Sequence, residues 1–145
     1  SGVLYQEFNS FKVLKSKIKL VSKKKSSDKI FNDLIFAFKV AKHVKSNAIV
    51  LVKNKQTLGI GAGQMSRVDS TKIAIIKYKQ SFRDKNFVCA SDAFFPFTDN
   101  LKTLLKLKCK GIIQPGGSIN DNKIISYANK KNASLYFVKN RVFKH

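Results

Sequence analysis

Between residues 87 and 138, three short apolar runs alternate with two longer segments of helical period. The runs are FVCAS (87–91), GIIQ (111–114) and SLYFV (134–138), and the segments between them are TDNLKTLLKLK (98–108) and INDNKIISYANKK (119–131). Strand, helix, strand, helix, strand is the most restrictive pattern in the chain. It builds parallel sheet, because each crossover helix packs back onto the sheet through a right-handed connection. Parallel α/β sheets hold ligands beyond the carboxyl ends of their strands. The segments after these strands are DAFFPFTDN (92–100), PGGS (115–118) and KNRVFKH (139–145). All three are predicted to emerge on one edge.

The upstream part extends this sheet. Residues 2–6 and 11–22 read as strands, the second with lysine alternating against apolar residues. KKKSSDK (23–29) is a polar break, and residues 28–45 read as a helix. Its core-facing stripe is Ile30, Phe31, Leu34, Ile35, Phe38 and Ala41, with Ser27 or Asp28 as N-cap. AIVLVK (48–53) and TLGIG (57–61) make a hairpin around Asn54, and residues 66–80 read as the next helix. The hairpin sets KSN (45–47) beside GAGQMSR (61–67). If its second strand runs parallel to the later ones, five loops share one rim. The fold class is α/β, and 145 residues suit a single domain.

The formal net charge is +21, the usual footprint of a nucleic-acid binder. Yet 26 of the 29 basic residues are lysine, and they are spread along the chain. Arginine is the better residue for bidentate phosphate and base contacts. A solvated lysine surface, a nucleic-acid footprint and a general attraction for small anions all fit this composition. No apolar run approaches the roughly 20 residues that span a bilayer, and SGVLYQEFNS lacks the layout of a signal peptide. Cys89 and Cys109 form no CxxC motif and read as free thiols in a reducing cytosol.

The expected rim carries a distinctive set of side chains. Glycines at 59, 61 and 63 allow backbone N–H groups to approach a ligand, and equally serve a structural turn. Arg67, one of three arginines, falls in the first turn of a helix, where a cation opposes the helix dipole unless something negative answers it. We expect a small anion there. DAFFPF offers either core aromatics or an apolar wall for a flat heterocycle. Asp92 and Asp99 flank it, and Asp99 reads as a helix N-cap or as an acceptor for a ring N–H. Arg141 is a second candidate anion contact or a surface ion pair. No zinc-site spacing is present, and His43 reads as a surface histidine at a helix end.

Five motifs in order, FKVAKHVKSNAIV, GIGAGQMSRVDS, SDAFFPFTDN, IIQPGGSIND and RVFKH, resemble the bifunctional purine biosynthesis family. That family combines AICAR transformylase with IMP cyclohydrolase. The resemblance runs from about Gly2 to His145 and is to the carboxyl-terminal part of the transformylase. It implies a three-layer α/β/α fold of the cytidine-deaminase-like kind, a mixed sheet without zinc. Residues 1–145 would be the second of two such units. The cyclohydrolase domain and the first transformylase half would be absent. The implied reaction moves a formyl group from 10-formyltetrahydrofolate, the co-substrate, to the 5-amino group of AICAR, giving FAICAR on the route to IMP.

Carried over by motif, Asn47, Arg67, Phe94 and Arg141 would contact AICAR. Val68, Asp99, Asn100, Ser118 and Ile119 would lie on the folate side. Thr98 stands where the family commonly has arginine. Formyl transfer needs a base for the amine proton, donors for the oxyanion and an acid for the departing nitrogen. In the family a Lys-His pair of the earlier half does the proton work. Lys42-His43 is not that pair, because AKHVKSN matches another segment. The resemblance implies that this chain alone is inactive, that the whole protein is a cytoplasmic homodimer, and that neither membrane nor specific nucleic acid is a partner. The competing reading is a non-enzymatic, basic nucleic-acid-binding α/β module.

Overall fold

The computed structural model describes residues 2, 13, 15–81 and 86–144. Residues 3–6 of the first expected strand, and the start of the one expected at 11–22, lie outside the described residues. The second of these strands is shorter than expected. Lys15–Lys17 form a single 3-10 turn, and among the described residues only Ile18–Leu20 pair as a strand, β1. Then come α1 (Asp28–Ala41), β2 (Ile49–Lys53), β3 (Gln56–Gly61), α2 (Arg67–Ser81) and β4 (Val88–Ser91). The remaining elements are α3 (Asp99–Lys106), β5 (Gly111–Pro115), α4 (Asp121–Lys130) and β6 (Ser134–Val138).

The six strands form one mixed sheet in the order β1-β6-β5-β4-β2-β3. β4, β5 and β6 are parallel, β2 is antiparallel to β4, and β3 is antiparallel to β2. β3 therefore runs in the same direction as β4, β5 and β6, as the shared rim requires. Alternation along the strands separates two cores. Leu51, Cys89, Ile112 and Leu135 face α2, α3 and α4, while Val50, Val88, Ile113 and Tyr136 face α1. The result is three layers, α/β/α, with one α-helix on one face and three on the other among the described residues.

Local chemistry explains the elements. Ser27 is the N-cap of α1 and accepts from Ile30 N–H. The hairpin turns at Asn54 and Lys55, both with positive φ. Its two free N–H groups donate to the Asp33 carboxylate of α1, each at 2.8 Å, so a helix on the sheet face holds the turn. Gly59 and Gly61 overturn one expectation. A Cβ at Gly61 would run into the Ser70 carbonyl of α2, and one at Gly59 into that of Ala74. These glycines let a helix backbone lie directly on β3; they do not cradle a ligand. Only Gly63, at φ 65°, serves the turn itself.

α3 and α4 end alike. Cys109 N–H donates to Leu104 C=O and Lys108 N–H to Leu105 C=O; Ala133 and Asn132 repeat the pattern on Ala128 and Asn129. This is the Schellman arrangement, whose penultimate residue takes a left-handed backbone. Lys108 (φ 63°) and Asn132 (φ 51°) occupy that place.

Two outcomes are expected. Gly61→Ala lowers unfolding free energy by about 1–3 kcal/mol, because the overpacked contact is backbone on both sides; urea denaturation reads this, and an unchanged midpoint contradicts the close approach. Cys89 and Cys109 are both free and buried, and burial raises both thiols, Cys109 to about 12. In the folded chain both resist a thiol reagent near neutral pH and react on unfolding. Unfolded thiols ionise near pH 8.5 while the folded ones stay protonated, so this contribution to stability falls as pH rises from about 8.5 toward 12.

Candidate functional site

The carboxyl edge of β3, β4, β5 and β6 gathers the expected loops around one residue, Asp92, directly after β4. It is fully buried. Its Oδ1 accepts from Arg67 Nη2 at 2.8 Å and its Oδ2 from Ser46 Oγ. Its backbone N–H donates to Ala48 C=O, and its C=O accepts from Val142 N–H. Three segments distant in sequence thus meet on one aspartate. The Arg67 side chain is only 10% exposed, so the pair is buried on both sides. A cation in the first turn of α2 is answered here by a carboxylate of the protein.

The four residues expected at the nucleotide surround this point. Arg67 also reaches Phe94 C=O through Nη1 at 3.4 Å, while its Nε is buried with no partner among the described residues. Asn47 Nδ2 donates to Gln64 C=O (2.8 Å) and Met65 C=O (3.3 Å), and Asn47 C=O accepts from Ser70 Oγ. The Arg141 guanidinium lies 4.6 Å from the centroid of the Phe94 ring. Ser66 precedes α2; its Oγ accepts from Asp69 N–H and donates to the Asp69 carboxylate, which lowers that carboxyl's pKa. The helix start carrying Arg67 is therefore capped from within.

The expected folate-side residues spread along the adjacent rim. Val68 and Ile119 are exposed, Ile119 almost fully. Ser118 Oγ accepts from Asn120 N–H, and Asn120 Nδ2 donates to Pro96 C=O, tying the 116–120 loop to the phenylalanine loop. Asp99 is exposed and pairs with Lys102; it is the first residue of α3, not its N-cap, a place taken by Thr98. Asn100 is buried, not presented at the surface. The phenylalanines divide: Phe95 is core, Phe94 is half-buried on the rim, and Phe97 is exposed.

Asp92, Ser46 and Gln114 were given no role from sequence. Gln114, fully buried at the end of β5, accepts from Phe95 N–H through Oε1. The signal for Asp92 was its position, a carboxylate immediately after a predicted parallel strand in a chain with few acids. Chemically, the rim offers two guanidiniums, an aromatic face and amides: groups that bind and orient. Among the described residues, no cluster of three or more His, Cys, Asp or Glu could hold a metal ion, and no helix is long and apolar enough to cross a membrane.

Comparison with known proteins identifies the lineage. A family model described as AICARFT/IMPCHase bienzyme matches residues 1–77, just over half of the chain. The chain belongs to the AICARFT/IMPCHase bienzyme family. Among the family's curated proteins, "Bifunctional purine biosynthesis protein PurH" of Chlorobaculum parvum is 48% identical over 145 residues, 99% of this chain and 28% of the relative. The protein of the same name from Buchnera aphidicola subsp. Baizongia pistaciae is 52% identical over 127 residues, 87% of this chain and 24% of the relative. The chain thus spans about a quarter of the length of these family members. A solved dCMP deaminase from the cyanophage S-TIM5 aligns at 13% identity with a TM-score of 0.46, over 76% of this chain and 98% of that one.

Asp92→Asn leaves the Arg67 charge buried without its counter-ion and lowers stability by about 3–5 kcal/mol. Asp99→Asn, which breaks an exposed pair, costs about 1 kcal/mol or less. Chemical denaturation of the two variants side by side checks this contrast; equal effects would contradict the buried hub.

Proposed function

We propose that this chain is the carboxyl-terminal part of an AICAR transformylase and supplies the ligand-binding half of its formyl-transfer site. The observation that carries this reading is the gathering of Asn47, Arg67, Phe94 and Arg141 around Asp92. It is supported by membership of the AICARFT/IMPCHase family and by curated relatives named for bifunctional purine biosynthesis.

In this reading Arg141, exposed above the Phe94 ring, meets the nucleotide's phosphate, and Phe94 backs the flat imidazole. Asn47 and Arg67, both locked by backbone contacts, fix the base edge. Locked side chains lose little freedom on binding, which favours affinity. The folate of 10-formyltetrahydrofolate lies along Val68, Asp99, Asn100, Ser118 and Ile119, and buried Asn100 acts by shaping the start of α3. The amine nitrogen of AICAR attacks the formyl carbon, the bond from that carbon to the folate nitrogen breaks, and the amine's proton is passed on as the folate nitrogen gains one. FAICAR and tetrahydrofolate result.

No described rim side chain is placed for that proton work. Asp92 is committed to Arg67 and Ser46, and His43 is exposed beyond the end of α1. The Lys-His pair that moves protons belongs to the part of the enzyme that precedes this chain. The whole enzyme is a cytoplasmic homodimer in which this unit completes the site, with neither a membrane nor a nucleic acid as partner.

Calorimetric titration with AICAR tests the reading. This chain binds AICAR saturably, and Arg141→Ala weakens binding by about tenfold or more, the value of one charge-assisted hydrogen bond. Arg141 is exposed, so the variant keeps its fold. The chain alone gives no formyl transfer with both substrates present. Absent AICAR binding, an unaffected Arg141→Ala variant, or substantial turnover by the chain alone would each overturn the proposal.

A further inference from the structure

A second feature lies at the opposite edge of the sheet, where β4, β5 and β6 begin, and it takes no part in the rim. A hollow of about 360 Å³ opens there, at the small end of the range for ligand pockets. Six lysines line it: Lys24, Lys102, Lys106, Lys108, Lys110 and Lys131. Its floor is apolar, from Leu105, Cys109 and Ala133, and Tyr127 and Asn132 contribute a ring and an amide. Among the described residues, no carboxylate lines it.

Lysines at helix ends are ordinary, because a helix C-terminus carries about half a negative charge. Two such ends, α3 and α4, meet here and offer about one negative charge against six positive ones. Even that is reduced, since the last carbonyls of both helices accept from the backbone N–H groups of their own Schellman turns. Lys102 pairs with Asp99, and Lys131 sits 6.0 Å from the Tyr127 ring centroid. Lys24, Lys106, Lys108 and Lys110 have no carboxylate partner among the described residues.

The backbone sets these lysines in place. Lys108 holds a left-handed conformation, φ 63°, at the Schellman position where glycine is the usual residue. Three segments, the loop before α1 and the ends of α3 and α4, are also fixed to the fold around them. Lys23 N–H donates to Asn129 Oδ1 at 2.7 Å, and Lys110 N–H to Phe87 C=O at 2.8 Å. The lysines therefore stand on a rigid frame around a concave space.

We propose that this hollow binds a compact polyphosphate, a nucleoside triphosphate or an equivalent small anion, with its phosphates among the lysines and its ring against Tyr127. Lysine suits this ligand because it meets phosphate as a point charge from several sides. A nucleic-acid backbone would need a continuous track of charge, whereas these lysines line one concave hollow. The proposal does not depend on the formyl-transfer reading.

The test is calorimetric titration of this chain with inorganic tripolyphosphate and with ATP, near physiological salt. Saturable one-to-one binding is expected for both. Removing three lysines, Lys106→Gln with Lys110→Gln and Lys131→Gln, weakens it on the order of tenfold after screening. A charge-matched control on α1 and α2, Lys29→Gln with Lys39→Gln and Lys79→Gln, leaves it within about twofold. Lysine acetylation of the unaltered chain supplies a second readout, with tripolyphosphate protecting Lys106 and Lys110 but not Lys29. Absent saturation, equal losses in both triple variants, or tighter binding of a single-stranded RNA oligonucleotide than of tripolyphosphate would overturn the proposal.

Discussion

A buried carboxylate at the end of β4 is the constraint on which the rim depends. Taking Asp92 and Arg67 out of water is expensive, and their mutual attraction offsets this only with good geometry and further hydrogen bonds. Here both conditions hold: the pair is 2.8 Å apart, Ser46 takes the second carboxylate oxygen, and Phe94 C=O takes part of the guanidinium. The backbone of Asp92 is joined to Ala48 and Val142 as well. One residue thereby sets the relative position of the hairpin, the start of α2, the phenylalanine loop and the terminal segment.

The glycines of GIGAG make this possible from below. α2 must lie close on β3 for Arg67 to reach Asp92, and only a strand without side chains at 59 and 61 admits the carbonyls of Ala74 and Ser70. What reads as a glycine run for approaching a ligand or making a turn is, at 59 and 61, a surface for packing a helix. Its effect on the rim is indirect but strict, because it sets the distance between a helix start and a neighbouring strand end.

The two edges of the sheet divide the molecule's charge differently. The carboxyl edge balances its buried cation with a buried anion and leaves Arg141 exposed over an aromatic ring. The amino edge collects lysines around a hollow and answers almost none of them. A uniform lysine surface accounts for the composition, but not for convergence of this kind, since helices α3 and α4 have to end side by side to produce it.

Period alone revealed most of the elements. Residues 48–53, 57–61, 87–91, 111–114 and 134–138 became strands within a residue or two, because short apolar runs bounded by turn residues have few other uses. Period failed at 11–22, where alternating lysines imitate a strand but, among the described residues, only Ile18–Leu20 find a partner, β6. The rim loops could be grouped from strand direction, and Arg67 and Phe94 were legible as an arginine out of place and an aromatic after a strand. The roles of Asp92, Ser46 and Gln114 were not legible, since a polar residue after a strand is commonplace until its partners are known. By itself, then, the sequence determined most of the strands and helices, the parallel direction of the last three strands and the edge their loops share, all consequences of local period and chain connectivity, while the three layers came with the family resemblance. Only the tertiary structure decided that Arg67 is answered by Asp92, that two glycines face a helix, and that six lysines converge, because each depends on distances between segments that no local pattern contains.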